Sequence, residues 1–200
     1  MIQDAYKTIS GISEGYFTEQ RSKFISYALP VKTPEEVKEK VDAFRKQHYS
    51  ARHVCWAYIL GAERTQFRFN DDGEPSSTAG KPIFGVINSH ELTDILVVVV
   101  RYFGGVKLGT SGLIIAYRAA AQDAVAHAEI IEKTIDEEII VTFAYPFLNG
   151  VMKIVKEDNP QIVSQQFDMD CVMTLRIRKS EAEKLKEKLL KVESVKIKPK

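Results

Sequence analysis

The run Ile95–Val100 contains no polar residue. An apolar stretch of that length, bounded by polar and glycine-rich sequence, reads as a strand buried on both faces. It predicts a strand over Asp94–Phe103, then the loop Gly104–Gly109 and an Ala-rich helix from about Ser111 to Ala128. The triplet Ala119-Ala120-Ala121 leaves little side-chain bulk, which lets that helix approach a sheet closely. Upstream, short strands are expected over residues 6–12 and 17–31. Thr33-Pro34-Glu35-Glu36 then combines an N-cap, an N1 proline and a capping-box glutamate ahead of a helix with Val37, Val41 and Phe44 on one face. Residues 51–60 and 66–69 read as strands separated at Gly61. Asn70–Ser77 is turn chemistry, and a helix is expected over Thr78–Glu91.

The last third of the chain has its own pattern. Ile139, Val141, Phe143 and Tyr145 alternate as a strand, and Pro146 opens a helix with Leu148, Val151, Met152 and Val155 on one face. Gln161–Phe167 is a second strand, and Asp168-Met169-Asp170 turns into a third with Cys171, Met173, Leu175 and Ile177 on one side. Ser180 and Glu183 have capping-box spacing before a helix bearing Ala182, Leu185, Leu189 and Val192, and Val195 and Ile197 form a short final strand. The order is βαββαβ, the ferredoxin-like pattern. The reading is therefore an α+β protein of two domains, residues 1–135 and 136–200, with the charged segment Glu132–Glu138 as the junction.

Composition adds exclusions. No stretch approaches the ~20 apolar residues a membrane span needs, and the N-terminus has no basic-then-apolar leader pattern. Cys55 and Cys171 are far apart among apolar neighbours, as reduced core thiols would be, and the expectation is a cytoplasmic protein that does not engage membranes. The formal net charge of +1 excludes a global basic field, so any polyanion must be held by local patches.

The strand–glycine-loop–helix unit is the main candidate for such a patch, because a helix N-terminus behind a glycine loop presents free N–H groups to an anion. Its anion-binding candidates are Arg101, Gly104, Gly105, Lys107 and Gly109, with His53 and Lys23 as neighbours. The spacing Gly104–Gly109 approaches a P-loop, but Thr110 stands where that motif needs lysine, which excludes a P-loop nucleotidase. Arg101, ending an apolar strand, needs a carboxylate partner or solvent. Asp71, Asp72 and Glu74 are a weaker cation-binding or acid–base alternative, in a run that otherwise reads as a solvated turn with one aspartate free to pair with Arg101. His53 and Cys55 lack a second ligand pair, so no metal and no cofactor is expected. Ser111 lacks the glycine spacing of a nucleophile elbow. In the second domain Arg176, Arg178, Lys196 and Lys198 share one strand parity and predict a basic open sheet face. It lacks the aromatic platform of base-reading sheets.

These motifs together resemble the YigZ/IMPACT family. The matching segments are Arg21–Phe24, Ala51–Ala57, Asp71–Pro75, Thr78–Pro82 and, most specifically, Arg101–Gly109 continuing through Gly112, Leu113, Ala116 and Tyr117. Ser77 stands where the family usually has glycine. The resemblance implies a first domain like the second domain of a small-subunit ribosomal protein and the fourth domain of elongation factor G. It implies a second domain like that factor's fifth. It also implies a link to translation, since eukaryotic relatives restrain a starvation-activated kinase controlling initiation, and it carries no catalytic residues. The function expected is a translation-linked factor contacting RNA or a ribosome-associated partner through phosphates. An enzyme acting on a small phosphorylated or nucleotide-like substrate and a pure protein-interaction module are the alternatives.

Overall fold

The computed structural model describes residues 4–198 of the chain. These divide into two compact units, residues 6–133 and, with Asp4 and Ala5, residues 134–198. Both mix helices with antiparallel sheet, an α+β architecture.

In the larger unit, β2 (Ser13–Glu19), β3 (Ser22–Pro30), β4 (His53–Leu60), β5 (Gln66–Asn70) and β6 (Ile95–Tyr102) form an antiparallel sheet of order β2-β3-β6-β4-β5. The all-apolar run places β6 at the centre, where Ile95 through Val100 are completely buried. Alternate residues serve two cores. Ile95, Val97 and Val99 face α2 (Gly80–Ser89) and α3 (Gly109–Ala126), while Leu96, Val98 and Val100 face α1 (Pro34–Gln47). β1 (Ala5–Ile9) pairs separately with β7 (Ile130–Thr134).

Close approach of α3 rests on small residues, as the alanine run predicts. Ala120, Ala121 and Ala124 are fully buried, and Ser13 and Ser26 donate to the α3 carbonyls of Ala124 and Ala120 at 2.7 and 2.6 Å. A Cβ on Gly15 would lie 2.3 Å from the Ala124 nitrogen, so only glycine permits this packing. The start of α1 follows its sequence signal, with Thr33 Oγ1 accepting from the Glu36 N–H at 3.2 Å. The two predicted N-terminal strands are three, because Gln20 and Arg21 (φ 45° and 66°) turn β2 back into β3 as a tight hairpin.

In the smaller unit β8 (Asp136–Ala144), α4 (Leu148–Asp158), β9 (Gln161–Gln166), β10 (Asp170–Arg178), α5 (Lys179–Leu189) and β11 (Lys196–Lys198) follow in order, in a sheet arranged β11-β8-β10-β9. This is the ferredoxin-like arrangement, with the first and third strands central. Three local expectations change. Tyr145 lies beyond β8, in a short 3-10 turn, and is exposed. Ser180 is not an N-cap: α5 begins at Lys179 with no side-chain cap, and Ser180 instead hydrogen-bonds Asp4. The segment 132–138 is strand rather than charged linker, with Ile135 alone between β7 and β8.

His48, at the C-cap of α1, sits between two tyrosines, with Nε2 3.0 Å from the Tyr27 hydroxyl and Nδ1 2.7 Å from that of Tyr102. Burial holds His48 below its ordinary pKa, with Glu14 partly opposing. The unfolded chain therefore takes up this proton first, so the contribution of His48 is present above the unfolded value of about 6.5 and is lost as pH falls. The urea midpoint of the wild type should drop more between neutral and mildly acidic pH than that of His48→Gln, and parallel declines would exclude this origin. We further propose that residues 136–200 fold alone. The isolated segment should unfold cooperatively in urea with a stability below about 5 kcal/mol, and a random-coil circular dichroism spectrum would rule this out.

Candidate functional site

Strand register builds the floor of the site. Phe24, Arg101 and His53 are direct cross-strand neighbours on β3, β6 and β4, so their side chains share the face covered by α2 and α3. Arg101 ends the apolar strand and is 5% exposed. Its partner comes from the β5–α2 loop: Nη1 donates to Glu74 Oε1 at 2.6 Å. The same oxygen accepts the Tyr117 hydroxyl from α3 at 2.7 Å and lies 3.9 Å from His53 Nε2. A carboxylate this buried is tolerable because a cation and a neutral donor both address it. Burial pushes the Tyr117 phenol and the Cys55 thiol, 3.4 Å apart, far above their ordinary values, so Tyr117 remains a proton donor to Glu74. His53 Nδ1 lies 2.7 Å from the Asp72 carbonyl, which can only accept, so Nδ1 carries a hydrogen, and Nε2 faces Glu74. Arg101 Nε has no acceptor among the described residues, and its guanidinium lies over the rings of Phe24 and Phe103 at 5.6 and 5.5 Å.

A pocket of about 320 Å³ opens over this floor. His53, Glu74 and Arg101 line its base; Arg52 and Phe103 line one wall, and Lys107, Leu108, Gly109 and Thr110 lead into α3 on another. Leu108 is in right-handed helical conformation (φ −80°, ψ −18°) and Gly109 has φ +71°. Successive residues of opposite hand turn their N–H groups inward as an anion-binding concavity. Only glycine takes the second position without strain. Leu108 has no side chain that could cap the first turn of α3. The pocket wall therefore combines first-turn N–H groups that have no intrahelical partner, the positive helix end and the exposed Lys107.

The sequence-derived candidates separate on this geometry. His53, Arg101, Lys107 and Gly109 come together at the pocket. Arg101, however, is paired with Glu74 rather than with an aspartate and forms its buried base. Lys23 is not a neighbour: it pairs with Tyr102 in register and so lies on the opposite face of the sheet from Phe24 and Arg101. Gly104 serves the fold, since a Cβ there would lie 2.1 Å from the Arg21 carbonyl carbon, and its N–H meets the Ser22 hydroxyl at 3.2 Å. Gly105 (φ +90°) is exposed and does not line the pocket.

The acidic triad does not converge on a cation. Asp71 accepts from the N–H groups of Ser77, Ala79 and Gly80 and so caps α2; Asp72 accepts from Val54 N and Arg45; Glu74 faces Arg101. Among the described residues no three His, Cys, Asp or Glu groups gather as metal ligands. In the smaller unit the basic face is interrupted by carboxylates: Arg176 pairs with Glu138 and Arg178 with Asp4, both at 2.6 Å, while Lys196 and Lys198 are exposed beside them. Three participants are not among the site candidates that the sequence proposes. Tyr117 is hidden within an alanine-rich helix, and Phe103 with Arg52 over its ring at 5.7 Å falls at strand ends where periodicity says nothing.

The model of the Impact N-terminal domain family matches residues 20–125. IMPACT family member YvyE of Bacillus subtilis is 35% identical over 153 residues, 76% of this chain and 70% of that protein. The chain belongs to the IMPACT family. YigZ of Escherichia coli, another IMPACT family member, is 33% identical over 150 residues, 74% of each chain. Protein IMPACT of Oryctolagus cuniculus is 33% identical over 95 residues, 46% of this chain and 30% of its own length. The crystal structure of a hypothetical protein, 26% identical, superposes with a TM-score of 0.74 over 98% of this chain and 97% of the other. Both units of this IMPACT-family chain are thus similar to that solved fold. No helix among the described residues is long and apolar enough to cross a membrane.

The buried pair sets a stability test. Arg101→Met leaves the buried Glu74 carboxylate without its cation and should cost about 3–5 kcal/mol in urea unfolding, whereas Arg101→Met with Glu74→Leu should recover only part of that loss, because the Tyr117 hydroxyl then lacks its acceptor. Single and double variants of equal stability would exclude the pair as the organiser of this region.

Proposed function

We propose that this IMPACT-family chain is a translation-linked regulatory factor that contacts RNA, or a ribosome-associated partner, through phosphates held at the start of α3. The observation that carries the reading is the uncapped helix N-terminus at Leu108–Gly109 beside Lys107, an arrangement matched to an anion. The translation link comes from family membership and from what the resemblance to this family implies. The family includes the eukaryotic proteins named IMPACT. The +1 net charge supports local phosphate contact rather than a broad electrostatic footprint.

The enzyme reading fares less well on the same geometry. Asp71, Asp72 and Glu74, which it would use as acid or base, are each occupied by donors of the protein itself. An acid–base role needs a carboxylate within reach of a substrate proton, and these are committed to the fold.

Binding of a labelled single-stranded RNA, followed by anisotropy against salt, tests the proposal. Lys107 is exposed, so Lys107→Ala should leave the melting temperature unchanged, weaken binding, and reduce the slope of log affinity against log salt by about 0.7, one phosphate contact. An unchanged slope, or no RNA binding by the wild type, would overturn it.

A further inference from the structure

We infer that the α3 pocket takes a terminal nucleotide carrying a phosphate monoester, either free or at the end of an RNA chain, in preference to an internal phosphodiester. The inference rests on the phosphate reading of α3 and specifies the ligand.

Four observations lead there. First, charge. Glu74 cancels Arg101, so what remains toward the pocket is Lys107, Arg52 and the positive end of α3. That surplus suits a monoester, which carries about −1.5 to −2 at neutral pH, better than a singly charged diester. Second, a pre-set base. The buried Arg101 side chain lines the pocket and is held in place by Glu74 Oε1 at 2.6 Å and against the rings of Phe24 and Phe103, so the floor beneath a ligand needs no ordering on binding. Third, an aromatic wall. Phe103 is 41% exposed at the pocket edge, with the Arg52 guanidinium over its ring. Aromatic faces and guanidinium planes are what bases stack on. Fourth, size. About 320 Å³ lies at the lower end of ligand-pocket volumes, room for one nucleotide unit rather than a folded segment of chain. Phosphate at Leu108–Thr110 and base against Phe103 place the two halves of one nucleotide on the two walls.

Three RNAs of one sequence, about 12 nucleotides long to cover a typical single-strand site, separate the possibilities: one with hydroxyl ends, one with a 5′-phosphate, one with a 3′-phosphate. Adenosine monophosphate and adenosine, titrated calorimetrically, test the free nucleotide. A phosphate-ended RNA, or the monophosphate over the nucleoside, should bind at least about tenfold more tightly, a difference of one decade in affinity. Thr110→Asp places a carboxylate at the first turn of α3, which favours the helix but repels a phosphate. It should melt no lower than the wild type while erasing the tenfold preference. Phe103→Ala should weaken the monophosphate and leave inorganic phosphate binding unchanged.

Equal binding of all three RNAs, with the Lys107 salt slope intact, would overturn end recognition while leaving the phosphate-contact proposal standing. Absence of RNA binding together with selective monophosphate binding would overturn the RNA proposal and assign the pocket to a free nucleotide. No preference for the monophosphate over adenosine and none for a phosphate end would overturn the inference outright.

Discussion

The geometry of the larger unit depends on one buried carboxylate. Glu74 Oε1 accepts from Arg101 on β6 and from Tyr117 on α3, and thereby ties the β5–α2 loop to the end of the central strand and to the side of the long helix. Each of the three elements has a reason to be there that the others do not supply. β6 ends in an arginine that cannot stay buried unpaired. α3 brings a phenol that cannot stay buried without an acceptor. The loop carries the acceptor that serves both. Loss of any one leaves a charge or a hydroxyl unsatisfied, so the three positions are fixed together. Asp71 and Asp72 extend the same logic along the loop: one caps α2 through three backbone N–H groups, the other joins Val54 and Arg45.

This arrangement moves the binding chemistry away from the residue that looks most promising. An arginine at the end of an apolar strand suggests a ligand clamp, yet its charge is spent within the fold. What is left for a ligand is weaker per group but pre-aligned: backbone N–H groups at the α3 N-terminus and an exposed lysine beside them. Such donors need no side-chain ordering on binding, apart from Lys107, so less of the interaction energy is lost to entropy. In the smaller unit Glu138 and Asp4 likewise take up Arg176 and Arg178, while Lys196 and Lys198 stay exposed.

Much of the fold was legible because it rests on local signals. The β6 run, the Thr33 cap, the alanine face of α3 and the alternation of β8 and β10 each act over a few residues and are matched by the structure. What was not legible depends on register or on distant partners. Lys23 stands beside Phe24 in sequence, but one step along a strand reverses the face, and it is excluded from the site. Ser180 has capping-box spacing, but Asp4, far away in sequence, takes its side chain. Whether Arg101 meets an aspartate or Glu74 is decided by the turn at Asp72 and Gly73 (φ 44° and 84°), whose shape the sequence announces only as turn. The sequence reading centres the site on Arg101–Gly109 with His53 and Lys23 as neighbours, whereas the base of the pocket, His53, Glu74 and Arg101, comes from three separate stretches.

Ser77 shows how family pattern and geometry can be reconciled at a single position. The residue has φ +63°, a conformation that glycine takes without strain, which explains why glycine is usual there in this family. In this chain the Ser77 N–H is held by Asp71 at 2.9 Å, within the same set of bonds that caps α2. Gly80 tolerates no such exchange, since a Cβ there would lie 2.7 Å from the Asn70 backbone nitrogen, at the end of β5. Two small residues three apart thus answer to different constraints: the first to a backbone angle that a hydrogen bond can hold, the second to a contact that any added atom would break. The loop that carries Glu74 to Arg101 is therefore fixed by packing at its far end and by hydrogen bonds within, and the strain at Ser77 can be carried without moving the carboxylate.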